Sequence, residues 1–231
     1  MNWLRRLREA PVTGALIAVN LLVYAIMVVA SRRFVSFSGE TLIAAGASLT
    51  GFDGAVSHWR WLTAAFVHAG LLHIVMNLWV LGQIGALSEK ALGRGLIAAT
   101  YLVTGVLGNV LSTVHAAATV GQSVSVGASG AIMGLIGMAT TFAWRTGQRR
   151  AAKALAINIL FVLGVGLSLS ARGITLVDNA AHIGGLVAGA LIGFVRASIP
   201  RPMPRWLDVT AIAASFALTA IAFAVVQLSG G

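Results

Sequence analysis

The chain has 231 residues, of which 58% are hydrophobic and 10% charged, with a net charge of +10 and a mean hydropathy of +0.91. A water-soluble domain covers its surface with roughly 25% charged residues, so this composition excludes an ordinary soluble fold and makes lipid the natural solvent. The basic residues fall between apolar segments rather than in a patch or arm, which argues against nucleic acid as a partner, and the absence of cysteine excludes disulfides, thiolate catalysis and cysteine-ligated zinc.

A helix needs about 20 apolar residues to span a bilayer, within a range of about 17–25. Read in chain order, residues 12–30, 71–87, 96–112, 129–144, 151–169, 179–195 and 209–228 form candidate spans, the fourth and sixth short and rich in glycine. Arg5, Arg6 and Arg8 precede the first. Its apolar run exceeds the about 7–15 residues of a signal peptide, and Arg32 and Arg33 follow it, so a retained helix is expected. With the N-terminus inside, only Arg32, Arg33, Arg60 and Arg172 of the 16 basic residues lie outside, as the positive-inside rule favours. Residues 1–11 are then a short cytoplasmic N-terminus, 12–198 a membrane domain, and 199–231 a linker and seventh helix ending outside. Helices two, four and six run from outside to inside. The longest connection, 31–70, lies outside and carries Trp59, Trp61 and Phe66, which suit the membrane interface.

Polar side chains within membranes are costly and tend to mark function. His73, Asn77, Ser129 and His182 stand out. At about 1.5 Å of rise per residue, Asn77 and His73 lie about 18 and 24 Å above Glu89, Ser129 about 24 Å above Arg145, and His182 about 21 Å above Arg196. In a hydrocarbon core about 30 Å thick, helices two, four and six bring these residues to one layer below the outer surface. His73 and Asn77 share a face at i and i+4. Ser129 opens the fourth helix within Gly127-Ala128-Ser129-Gly130, where free amides at a helix N-terminus can stabilise an oxyanion. Gly130, Gly134 and Gly137 on the fourth helix, and Ala181, Gly185, Gly189 and Gly193 on the sixth, form small-residue stripes that allow close contact. If the stripes pack, Ser129 meets His182, and a histidine beside a serine hydroxyl can be its general base.

Taken singly, these features have plainer readings. A Ser–His pair in a membrane protein is usually packing, and His73 with Asn77 is as well explained as helix–helix glue. Asp178, four residues before His182, suits an N-cap or outer-loop role better than a third triad position. His58 and His115 read as loop residues; His68 reads as structural or as lining a water cavity, the structural role being favoured. No HExxH occurs and no carboxylate lies among the histidines, so no metal site is expected.

Together the motifs resemble the rhomboid family. Trp59-Arg60, the run Phe66-Val67-His68-Ala69-Gly70-Leu71-Leu72-His73-Ile74-Val75-Met76-Asn77, Glu89-Lys90-Ala91-Leu92-Gly93, Val126-Gly127-Ala128-Ser129-Gly130-Ala131-Ile132-Met133-Gly134 and Asp178-Asn179-Ala180-Ala181-His182-Ile183-Gly184-Gly185 follow the family's order and spacing from about Trp59 to Gly193. The resemblance implies an all-α membrane fold, a rhomboid-like six-transmembrane-helix bundle with an additional C-terminal helix. It further implies an intramembrane serine endopeptidase with catalytic Ser129 and His182. His73, Asn77 and the Ser129 N–H would form the oxyanion hole, and Trp59 and Arg60 would sit in a loop partly in the outer leaflet. Substrates would be single-pass membrane proteins, with no metal, nucleotide or other cofactor. Met133 stands where a branch of the family has an aromatic that stacks on the base. The expected location is the bacterial inner (plasma) membrane. The competing expectations are a non-catalytic rhomboid-like protein that binds membrane clients, disfavoured because Ser129 and His182 are both present, and a small transporter, disfavoured because no intramembrane carboxylate or repeat is evident.

Overall fold

The computed structural model describes residues 8–51, 58–119, 121–172, 177–199 and 203–229; Arg5, Arg6 and Arg201 of the charge argument lie outside them. In chain order the described elements are α1 (Pro11–Ser31), α2 (Gly39–Ala44), β1 (Ser48–Thr50), α3 (Arg60–Thr63), a 3-10 turn (Ala64–Phe66), α4 (Leu71–Leu92), α5 (Arg94–Thr119), β2 (Ser123–Ser125), α6 (Ser129–Arg145), α7 (Arg149–Ser170), α8 (Asn179–Ala197) and α9 (Arg205–Leu228). All seven expected apolar segments are helical. Six of the long helices, α1, α4, α5, α7, α8 and α9, are long and apolar enough to cross a membrane. The exception is α6, with 17 residues, about 25 Å at helical rise. Its residues Gly130–Met138 are all buried, packed among α4, α5, α7 and α8, while Trp144 near its end is exposed. By contrast α7 shows most of its surface. The fold is an all-α membrane bundle with one small two-stranded ribbon in its connections.

Buried polar groups tie the helix ends together. No side chain within α1 caps its N-terminus. Glu89, near the end of α4 and 4% exposed, does so instead, accepting from the N–H groups of Val12 (3.1 Å) and Thr13 (2.7 Å) and from the Thr13 hydroxyl (2.7 Å). A carboxylate at a helix N-terminus meets both the orphan donors and the positive dipole end. At α9, Asp208 accepts from the Gly95 N–H at 3.0 Å, and Gln227 donates to the Ala44 carbonyl at 3.0 Å, so the seventh helix is pinned at both ends.

The outer connection is more structured than its sequence suggests. β1 pairs antiparallel with β2, Ser48 opposite Ser125 and Thr50 opposite Ser123. Arg60 is buried and donates to the carbonyls of Ile43 (2.7 Å) and Ala47 (3.2 Å). Phe66 is not interfacial: it is 1% exposed and packs on Tyr101 and Phe223. Trp61 donates its indole N–H to Thr113 at 3.1 Å, and Trp59 is the exposed member of the three. His115, expected in a loop, lies exposed on the last turns of α5, which runs 26 residues to Thr119. His58 is exposed in a turn.

At the centre, α6 and α8 touch backbone to backbone. A Cβ placed on Gly185, Gly189 or Gly193 would run into the carbonyl oxygens of Gly130, Gly134 and Met138 respectively, and one on Gly137 would lie 2.5 Å from the Leu186 oxygen. The spacing of four matches on both helices, so the contact continues through successive turns. Gly134 differs from the expected stripe, because the space beside its own Cα is filled by Thr104 of α5. The third helix enters the same junction. A Cβ on Gly108 would lie 2.7 Å from the Ala181 oxygen, and one on Gly184 3.0 Å from the Leu107 oxygen. Overpacking a core typically costs about 1–3 kcal/mol, and here the obstacle is backbone that cannot rotate away. Gly189→Leu is therefore expected to lower the unfolding midpoint in detergent; an unchanged midpoint would mean that position 189 faces lipid.

Candidate active site

The glycine junction sets the level of the candidate residues. Ser129 is the first residue of α6, and Gly130 beside it packs on Ala181 and Gly185, which bracket His182 on α8. Ser129 is half-buried and His182 is 5% exposed. As the first helical residue, Ser129 has an N–H with no intrahelical acceptor. No hydrogen bond joins the Ser129 hydroxyl to His182, and His182 Nδ1 is buried without a partner among the described residues. Among the described residues no hydrogen bond to Nδ1 orients the imidazole.

Gly127 organises the other side. Its φ is +128°, a region that side chains rarely adopt, and its N–H donates to the Ala64 carbonyl at 2.9 Å. A Cβ there would lie 2.9 Å from both Cε1 and Nε2 of His73 and 3.7 Å from Ser129 Oγ. The His73 ring and the Ser129 hydroxyl thus border the same space, which the missing side chain of Gly127 leaves open. The Ala69 N–H points at His73 Nδ1 at 3.4 Å, which assigns the ring proton to Nε2, the nitrogen facing Gly127 and Ser129. Asn77 is buried one turn further along α4 and donates to the His73 carbonyl at 2.9 Å. The start of α4 is fixed in turn by the outer connection: the Leu71 N–H donates to the Val35 carbonyl at 2.9 Å and Phe37 N–H to Ala69 at 3.1 Å.

His68 is fully buried, with Nδ1 3.2 Å from the Phe66 carbonyl and its ring edge-on to His73 at 5.1 Å. Burial, helped by the neighbouring His73, pushes its imidazole down to about 3. It stays neutral and packs on His73, and its Nε2 is buried without a partner among the described residues. Met133 is 2% exposed. Asp178 is the N-cap of α8, accepting from the Ala181 N–H at 2.9 Å. It also accepts from Ser112 of α5 and Ser125 of β2. Neither serine stood out in the sequence, since a lone serine near a helix end carries no pattern. Among the described residues no group of three His, Asp or Glu side chains converges to hold a metal ion.

Gly127→Ala is expected to push the His73 ring away from Ser129. A shift of about 1 Å at a reacting group can cost about 100-fold in rate. Labelling of Ser129 by a fluorophosphonate should slow by about that factor; an unchanged rate would show that the ring and the hydroxyl do not share this space.

The Rhomboid domain family matches residues 55–199, which hold His73, Asn77, Ser129 and His182. RHOMBOID-like protein 6, mitochondrial, of Arabidopsis thaliana is 35% identical over 149 residues, 64% of this chain and 46% of that protein. Rhomboid protease GluP of Bacillus subtilis is 30% identical over 154 residues, 67% of this chain and 29% of that protein. Rhomboid-like protease 2 of Toxoplasma gondii is 31% identical over 188 residues, 78% of this chain and 62% of that protein. The chain spans less than half the length of the plant relative. With the family match covering more than half of its residues and six described helices long and apolar enough to cross a membrane, the chain belongs to the rhomboid family of multi-pass membrane proteins.

Proposed function

We propose that the chain is an intramembrane serine endopeptidase that cuts single-pass transmembrane proteins in or near the outer half of the bilayer through a Ser129–His182 dyad. The observation that supports this reading is the convergence of polar groups from α4, α6 and α8, with the His73 ring and the Ser129 hydroxyl both bordering the space beside the Gly127 Cα. Two of the relatives are named as proteases, which supports the same reading.

In this mechanism His182 takes the Ser129 proton as Oγ attacks the scissile carbonyl, then returns it to the leaving amine. The tetrahedral oxyanion receives hydrogen bonds from His73 Nε2–H, the Asn77 amide and the Ser129 N–H. The resting site lacks the Ser129–His182 hydrogen bond, as is common before substrate closes a site. Water then releases the acyl group from Ser129. The half-buried state of Ser129 leaves the hydroxyl approachable. No metal or cofactor takes part. Membrane lipids are the surroundings and nucleic acid is not a partner. The orientation places the N-terminus in the cytoplasm, with the membrane domain over 12–198 and the seventh helix in 199–231. The proposed location is the bacterial inner membrane.

Purified protein incubated with a model single-pass substrate tests this reading. Ser129→Ala should abolish cleavage without unfolding the protein, because one hydroxyl is lost at a position that no hydrogen bond holds. His182→Ala should be equally inactive, and the double variant no worse than either, since the pair acts as a unit. Cleavage by Ser129→Ala at the wild-type rate would leave a client-binding or other role and remove the dyad.

His73→Ala and Asn77→Ala should each lower kcat by about 10²–10³, the usual loss for one oxyanion donor, with little change in KM. Weaker substrate binding at normal turnover would place these groups in docking instead.

A further inference from the structure

Asp178 caps α8 with one oxygen only. Its Oδ1 accepts from the Ala181 N–H at 2.9 Å, while Oδ2 accepts from the hydroxyls of Ser125 at 2.6 Å and Ser112 at 2.5 Å. A cap needs a single acceptor, and serine, threonine or asparagine supplies one as well as aspartate does. Three converging donors are a different requirement. An ionised carboxylate has about four acceptor sites, and its charge-assisted bonds are short and strong.

The positions of the three donors give this joint its meaning. Ser125 ends β2, four residues before Ser129. Asp178 stands four residues before His182, whose N–H donates to the Asp178 carbonyl at 3.1 Å. Ser112 is buried on α5, the helix that shares the glycine junction with α6 and α8. The carboxylate therefore links the chain leading to Ser129 with the helix carrying His182, on the outer side of both. Between Ser125 and Ser129 lies Gly127, with its unusual backbone and no side chain to pack. A segment softened by glycine must be fixed by bonds at its two sides. The Ala64 carbonyl holds Gly127 directly, and Asp178 holds Ser125. Both carboxylate oxygens are occupied by these donors, and among the described residues no side chain holds His182 Nδ1, so Asp178 acts through the backbone rather than as a third member of a triad.

We propose that Asp178 is a positioning residue: by clasping Ser125 and Ser112 while capping α8, it sets the separation of Ser129 and His182. This rests on the reading of those two residues as nucleophile and base.

Three full-length variants separate the clasp from the cap. Asp178→Ser retains a capping oxygen but is too short to reach Ser125 and Ser112. The pair Ser112→Ala with Ser125→Ala empties the clasp and leaves the cap intact. The third combines all three changes. Each is measured for cleavage of a single-pass substrate, for the rate of Ser129 labelling by a fluorophosphonate, and for its unfolding midpoint in detergent. Asp178→Ser and the serine pair should each lower kcat and the labelling rate about 10- to 100-fold, with KM and midpoint close to wild type. The combined variant should be little worse, because residues in one hydrogen-bonded joint are not additive. Wild-type labelling and turnover in Asp178→Ser would overturn the proposal, as would losses that only track a lower midpoint. Wild-type protein inert to both label and substrate would overturn the dyad reading along with it; wild-type protein that is labelled, with Asp178→Ser labelled equally fast, overturns the clasp alone.

Discussion

The structure depends on direct backbone contact between α6 and α8. Gly185, Gly189 and Gly193 have no side chains, and the carbonyls of Gly130, Gly134 and Met138 occupy the space where side chains would be. In lipid there is little hydrophobic force to press helices together, so close packing and weak polar contacts must do it. Because the match repeats every four residues on both helices, it fixes their relative height as well as their distance. Height is what a membrane site needs, since the groups at the ends of that contact come from segments of chain about fifty residues apart. Gly108 and Gly184 bring α5 against the same junction, so the short α6 is held on several sides.

Around that junction, buried polar groups replace the water that would otherwise satisfy helix ends and loops. Glu89 closes the start of α1, Arg60 gathers the carbonyls of Ile43 and Ala47, and Tyr101 donates to the Ala65 carbonyl at 2.9 Å while accepting from Asn20 at 3.1 Å. An unsatisfied backbone group in hydrocarbon costs several kcal/mol, so each of these bonds is part of the condition for folding in lipid. Most of them support the outer connection, and that connection fixes the start of α4 through Val35 and Phe37. The support for His73 and Asn77 is thus built from loop and not from helix packing alone.

Much of this was legible in the sequence because the relevant signals are periodic or rare. The seven apolar runs and the glycine stripes could be read directly, and the stripes on the fourth and sixth helices do meet. The rest lacked a pattern. Gly134 has the right spacing for α8, yet the space beside its Cα holds Thr104, because a glycine spacing does not say which neighbour fills it. Gly108 of α5 meets the Ala181 carbonyl, but one glycine within an apolar run does not say which helix it faces. β1 and β2 are three residues each, too short for alternation to register. Glu89 and Arg60 look like surface charges in a linear reading, and only three-dimensional packing shows them buried with partners. Asp178 was read correctly as a cap, but the serines that share its carboxylate come from distant segments, and no local rule links them.

The central claim is that the α6–α8 contact brings His182 to the side chain at position 129. The chain has no cysteine, so Ser129→Cys introduces a single thiol at that position. The direct measurement is its alkylation rate by neutral iodoacetamide at neutral pH, in bilayers, with His182 present and with His182→Ala added. A neighbouring imidazole draws the proton from a thiol and makes it more nucleophilic. The expected result is a rate at least several-fold higher with His182 than without it. Equal rates in the two proteins, both folded, would contradict the claim.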